Sequence, residues 1–154
     1  MLRQLALADM GAAAQVHRIA FDQAMPSLLG LRTPDEDRWF YRERVFPTCR
    51  VWGRFEGDVL SGIIAFRDGW IEQLYVLPAA QGRGVGTELL DVAKRACDRL
   101  ELWTFQRNTR AHRFYEARGF VQVEQTAGAR NEEREPDTRY VWRRRTLDLC
   151  SLVV

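Results

Sequence analysis

Three glycines in five positions, within Gln81-Gly82-Arg83-Gly84-Val85-Gly86, follow an apolar run that stops at Pro78 and open a stretch with helical spacing. Glycine removes the Cβ where a backbone must turn sharply or let a ligand come close. A strand, a short loop and a helix start are therefore set in that order. The first turn of such a helix has N–H groups without intrahelical acceptors, and its dipole end is positive, which suits a phosphate. Arg83 adds a forked cation. No Gly-Lys-Ser/Thr end occurs, so a P-loop is excluded. The spacing G-x-G-x-G, placed after a fourth strand rather than a first, also differs from a Rossmann turn.

The pattern around this turn predicts one domain over residues 1–145, with an apolar tail over 146–154 (Leu147, Leu149, Leu152, Val153, Val154). Leu2 to Leu7 alternates as a first strand. Asp9 is placed to cap a helix carrying Val16, Ile19 and Ala20 on one face. Thr33-Pro34-Asp35-Glu36 is a second helix start, and that helix should stop before Pro47. Three strands follow, Cys49–Phe55, Val59–Arg67 and Trp70–Leu77, the last two joined by the hairpin signal Asp68-Gly69. A helix from Gly84 to Arg99 should bury Val85, Leu89, Val92, Ala93 and Ala96, with Cys97 on its apolar stripe. Leu100–Phe105 is a strand, Thr109–Arg118 a helix, and Phe120–Gln125 and Thr138–Arg143 the last strands. Hairpins first and crossovers later imply an α+β fold, a mixed and mostly antiparallel sheet of six to seven strands flanked by about four helices.

Composition narrows the function classes. With 154 residues, 46% apolar and 29% charged, the chain has material for its own core. A net charge of +2 gives no chain-wide reason to expect a nucleic-acid partner. Cys49, Cys97 and Cys150 form no C-x-x-C pair, and only His17 and His112 accompany them, so no metal site is expected. No apolar run approaches the ~20 residues of a membrane span, and a reducing cytoplasm is the default expectation.

A second motif, Asn108-Thr109-Arg110-Ala111-His112-Arg113-Phe114-Tyr115-Glu116-Ala117-Arg118-Gly119-Phe120, comes directly after the strand that ends at Phe105. The two motifs, in this order and with a strand between them, resemble the GNAT superfamily of acetyl-CoA-dependent N-acetyltransferases. Gln81, Gly84 and Gly86 match its Q/R-x-x-G-x-G/A turn. Asn108, Ala111, Phe114, Tyr115, Gly119 and Phe120 match its N-x-x-A-x-x-F-Y-E-x-x-G-F helix. The likeness is strongest from Trp70 to Phe120.

The resemblance implies acetyl-CoA as cofactor. The pantetheine arm would pair with the backbone of Leu74, Tyr75 and Val76, and the N–H groups of Gln81, Gly82, Arg83, Gly84, Val85, Gly86 and Thr87 would hold the pyrophosphate. Asn108, Ala111 and Phe114 would flank the cofactor, although Asn108 also suits a helix cap. Arg83, Arg107, Arg110 and Arg113 form either a basic rim for the 3′-phosphate or a solvated face. The chemistry implied is aminolysis of a thioester, which needs a neutral amine and a protonated leaving thiolate. Tyr115 matches the family tyrosine that protonates sulfur; filling the core is its alternative role. Glu72 is the candidate base, sharing a face with Trp70 and Leu74 by strand alternation, or else a solvated strand glutamate. The Val76 N–H is the candidate oxyanion donor by resemblance. His112, between Ala111 and Arg113, is expected to point outward.

The acceptor is expected to be a small-molecule primary amine. Its walls would come from Phe21, Met25, Leu28, Leu29, Trp39, Phe40 and the stretch 131–137, whose acidic residues either attract a cation or form a mixed-sign loop. Protein or peptide acetylation and a silent acyl-CoA sensor are the alternatives. No nucleic acid or membrane partner is expected, and the apolar tail leaves a homodimer open.

Overall fold

The computed structural model describes residues 1–145; the tail over 146–154 lies outside the described residues. Seven strands form one sheet in the order β1-β2-β3-β4-β5-β7-β6. They are β1 (Leu2–Gln4), β2 (Arg50–Glu56), β3 (Val59–Arg67), β4 (Trp70–Val76), β5 (Arg99–Phe105), β6 (Val121–Thr126) and β7 (Asp137–Arg143). Every pairing is antiparallel except β4 with β5. The helices are α1 (Met10–Ala24), α2 (Pro34–Phe40), α3 (Val85–Ala96) and α4 (Thr109–Glu116). This is the mixed α+β sheet expected from the sequence.

The two faces of the sheet carry two cores. Ile64, Phe66, Leu89, Leu90, Leu100 and Tyr140 meet under α3 and α4. Met10, Ala13, Val16, Tyr41, Ile63 and Ala65 meet under α1 and α2. The alternation along β3, with Ile63 and Ala65 to one side and Ile64 and Phe66 to the other, explains why its interior is buried throughout. Burying a side chain such as Leu89 contributes roughly 1.5–3 kcal/mol. Gly62 is required by packing, since a Cβ there would lie 2.9 Å from both Leu89 and Val85 of α3.

Several local expectations are corrected. Asp9 does not cap α1 from the N-cap position: its carboxylate turns back to accept from the Ala6 N–H at 2.7 Å and to pair with Arg3. β1 stops at Gln4, because Leu7–Asp9 forms a 3-10 turn. α2 begins as expected, with Thr33 Oγ1 and the Glu36 carboxylate closing a capping box. It then passes Pro47, running on through a π turn (Tyr41–Val45) and a last turn (Phe46–Thr48). The Phe46 N–H reaches five residues back to Tyr41 O. That wider turn starts a new helical segment, with the proline at its first positions, where a missing N–H breaks no bond. α3 ends at Ala96, so Ala96 is exposed and Cys97 is an extended, half-buried cap residue.

Asp68 (φ 44°) and Gly69 (φ 80°) make the tight hairpin that aims β4 back along β3. Within that hairpin Ala65 faces Gln73 while the next residue, Phe66, faces Ile71, leaving Glu72 as the extra residue of a β-bulge. Alternation is thereby broken. Ile71 and Leu74 both pack into the core on the α3 side, and simple alternation no longer assigns Glu72 the face of Leu74.

Candidate active site

β4 and β5 pair only at Trp70↔Glu101, supported by the Glu101 N–H donating to Gly69 O at 2.7 Å. Beyond that point the two parallel strands separate, and Leu74, Tyr75 and Val76 of β4 line the opening. Three cavities follow one another along it. A groove of about 420 Å³ runs over the glycine turn and the start of α4. A narrower space of about 210 Å³ lies inside the split. A cleft of about 380 Å³ opens on the α1 side. Tyr75 lines all three, and Tyr115 lines the first two.

The groove is built by the two sequence motifs. Gly82 (φ 77°) and Gly84 (φ 84°) take the left-handed backbone that favours glycine, and a Cβ on either would meet nothing within 4 Å. The space beside them is open for a ligand. The Glu88 N–H donates to Gly84 O at 3.0 Å as α3 begins. The N–H groups of Val85, Gly86 and Thr87 therefore have no intrahelical acceptor. A Cβ on Gly86 would lie 3.0 Å from the Phe114 ring, so this glycine lets α3 and α4 close together. Gln81 Nε2 donates to Val76 O at 3.0 Å and to Gln23 Oε1 at 3.1 Å, while Gln81 Oε1 is buried without a protein partner among the described residues. Free helix-start N–H groups and open glycine surfaces fit a phosphate, and the unpartnered Gln81 Oε1 fits an N–H or O–H donor on an extended arm attached to it.

Of the residues singled out in the sequence, Leu74, Tyr75, Val76, Gln81, Gly82 and Gly86 line this groove. Asn108, Ala111, Phe114 and Tyr115 line its other wall. Asn108 Oδ1 also accepts from the Ala111 N–H at 3.2 Å, capping α4. The Val85 side chain is in the core, so only its backbone is available to a ligand. Thr87 Oγ1 accepts two hydrogen bonds from Arg118, at 2.9 and 2.8 Å. Arg107 and Arg110 reach the groove, whereas Arg83 is exposed and lies 3.7 Å from Glu56. Arg113 is not part of the lining.

Tyr115 is buried, with its ring edge-on to Phe114 at 5.2 Å and to Phe120 at 5.3 Å between centroids. Burial, and then the neighbouring Tyr75, push its phenol above the ordinary pKa, so the hydroxyl keeps its proton at any working pH. Glu72 borders the split and is bonded by Arg67 Nε at 3.1 Å. His112 does not point outward. Its Nδ1 lies 2.5 Å from Tyr140 OH, and its Nε2–H donates to Phe105 O at 3.0 Å, fastening α4 to the sheet.

The cleft holds groups that the motifs did not reveal. His17 stacks on Tyr75 with centroids 4.2 Å apart, and its Nδ1 shares a 2.7 Å hydrogen bond with Tyr41 OH. Burial lowers its pKa to about 4, leaving the ring neutral. Arg18 grips Asp37 through Nε and Nη2 at 2.8 and 2.9 Å, and reaches Asp22 through Nη1 at 3.1 Å. The helical spacing of His17, Ala20, Phe21 and Ala24 was the available signal for a cleft-facing stripe on α1. Of the expected acceptor walls, Phe21 and Met25 line the split and Phe40 lines the cleft; Leu29 and Trp39 are exposed.

The sheet splits after its one parallel pair, with a glycine-lined helix start at one end of the split, in a mixed α+β architecture. Residues 15–120 match the Acetyltransferase (GNAT) family model, and the chain belongs to that family. It is 32% identical over 111 residues to a mycothiol acetyltransferase of Beutenbergia cavernae, a match covering 66% of this chain and 36% of that protein. The matched part thus spans about a third of that curated relative. A GCN5-related N-acetyltransferase from Rhodopseudomonas palustris superposes with a TM-score of 0.75 at 20% identity, covering 93% of this chain and 94% of that one. The PaiA N-acetyltransferase of Thermoplasma acidophilum, solved in complex with coenzyme A, gives 0.67 at 19% identity over 93% and 98% of the two chains.

Proposed function

We propose that this chain transfers an acetyl group from acetyl-CoA to the primary amine of a small molecule. The observation that carries this is the continuity of the three cavities through Tyr75, which leads from the glycine turn to a separate cleft between α1 and α2. Acetyl-CoA supplies an activated acyl group as a thioester. The free N–H groups at the start of α3 bind its pyrophosphate, and the backbone of Leu74 to Val76, unpaired with β5, orients the extended arm. The volume of the cleft suits a small acceptor better than a folded protein surface.

Tyr115 is the proton donor to the departing thiolate. Tyr115 lines both groove and split, and burial holds its hydroxyl protonated. Glu72 serves as the base through a water, since it borders the same split while its carboxylate is engaged by Arg67. The Val76 N–H is the donor to the developing oxyanion.

Thiol release from acetyl-CoA across a panel of amines and peptides tests the reading. Turnover with small amines is expected; turnover with peptides alone moves the activity to protein acetylation. Acetyl-CoA binding without turnover on any acceptor makes the chain a sensor.

A further inference from the structure

We infer that the cleft beside α1 selects a cationic amine carrying a flat apolar group, and that Glu133 is the residue that holds its ammonium. This rests on the transferase reading above and names the acceptor that the reading leaves open.

The charges in the cleft are the first observation. Two arginines line it, and neither is left to receive a substrate anion. Arg18 is held by Asp37 and Asp22, and Arg32 is paired with Glu132. His17 adds no charge, because burial keeps it neutral. Glu133 is half-buried, lines the same cleft, and has no cation within ion-pair distance among the described residues. Burial raises the Tyr75 phenol, and the Glu133 charge adds to that rise. Among the described residues the cleft therefore has one uncompensated carboxylate, lining the same cavity as Tyr75, which links it to the split.

The walls are the second observation. Phe21, Phe40, Tyr75, Trp103 and Phe105, from α1, α2, β4 and β5, line the same cleft as Glu133. Phe21 stands edge-on to Phe105 at 6.1 Å between centroids, and His17 is stacked on Tyr75. Aromatic faces attract an ammonium and also pack against a flat ring. A substrate carboxylate would meet Glu133 and find no free cation, so amino acids are disfavoured relative to their decarboxylated amines.

The test uses calorimetry with phenethylamine and phenylalanine on the protein saturated with coenzyme A. Phenethylamine should bind at least about tenfold tighter than phenylalanine, and Glu133→Gln should weaken phenethylamine about tenfold or more. Trp103→Ala should weaken it independently, while the melting-temperature rise with acetyl-CoA stays unchanged in both variants. Equal binding of the two ligands, no binding of either, or indifference to Glu133→Gln overturns the inference. Phenethylamine held through Glu133 with no acetyl transfer to it or to any acceptor of the panel would sink the transferase reading and leave the inference standing. Amine turnover that ignores Glu133 would do the reverse.

Discussion

The imidazole of His17 lies against the ring of Tyr75, with centroids 4.2 Å apart and 24° between the planes. One residue comes from the first helix and the other from the strand that borders the split, so α1 is fixed to β4 at the point where the cavities meet. Burial depresses the His17 pKa from 6.5 to about 4, while the unfolded chain keeps the ordinary value. Between those pH values the unfolded state binds the extra proton. The stability that His17 contributes is fully present above pH ~6.5 and is lost as pH falls toward ~4, a term of at most about 3 kcal/mol. His17→Phe keeps a stacking ring without the titration. Its urea midpoint should fall less steeply over that window than the parent's, and identical pH profiles would refute the assignment.

Tyr115→Phe removes the hydroxyl from the wall shared by groove and split while retaining the ring contacts with Phe114 and Phe120. A lost general acid lowers kcat by roughly 10²-fold or more. Acetyl-CoA should still raise the melting temperature of the variant. An unaltered kcat would reduce Tyr115 to a packing residue.

Gly84→Glu places a side chain on a residue with φ 84° and a negative charge beside the turn proposed to hold phosphate. For the parent, acetyl-CoA at about a hundred times its Kd should raise the melting temperature by about 5–10 °C. The variant should show no rise, and differential scanning fluorimetry decides it. A parent protein without any shift at saturating acetyl-CoA would sink the cofactor assignment itself.

Asp37→Asn leaves the Arg18 guanidinium with Asp22 as its remaining carboxylate partner, inside a mostly enclosed site between α1 and α2. Removing one partner of such a pair is destabilising by about 2–4 kcal/mol. Urea unfolding should show that loss, accompanied by a weaker KM for the amine because α2 forms one wall of the cleft. A stability change under about 0.5 kcal/mol would mean that Asp22 alone satisfies Arg18.

Much of the scaffold could be read from local chemistry. The capping box at Thr33, the hairpin at Asp68-Gly69 and the helix entry at Gly84 each depend on a few neighbouring residues, and each stands where the pattern put it. The misplacements involve information that is not local. Alternation along β4 gave no sign that Glu72 would bulge, because the extra residue is defined only against β3. Pro47 signalled a helix end, but a π turn before it absorbed the proline. The apolar side of His112 was hidden because its partners, Tyr140 and Phe105, lie 28 and 7 residues away. The cleft's charge balance was equally out of reach, since Arg18 meets Asp37 across 19 residues. The groove was legible through motifs; the acceptor cleft is made of pairings between helices that no single segment announces.

Trp70↔Glu101 is the last tie between the two parallel strands, and beyond it the sheet has two inward-facing margins in place of one continuous ladder. Open strand margins on the outside of a protein invite another chain to pair with them. Here they face each other within the fold, with Tyr115 and Asn108 bordering the gap. The molecule thus has a templating surface for β-type hydrogen bonds that a second protein's sheet is too thick to enter.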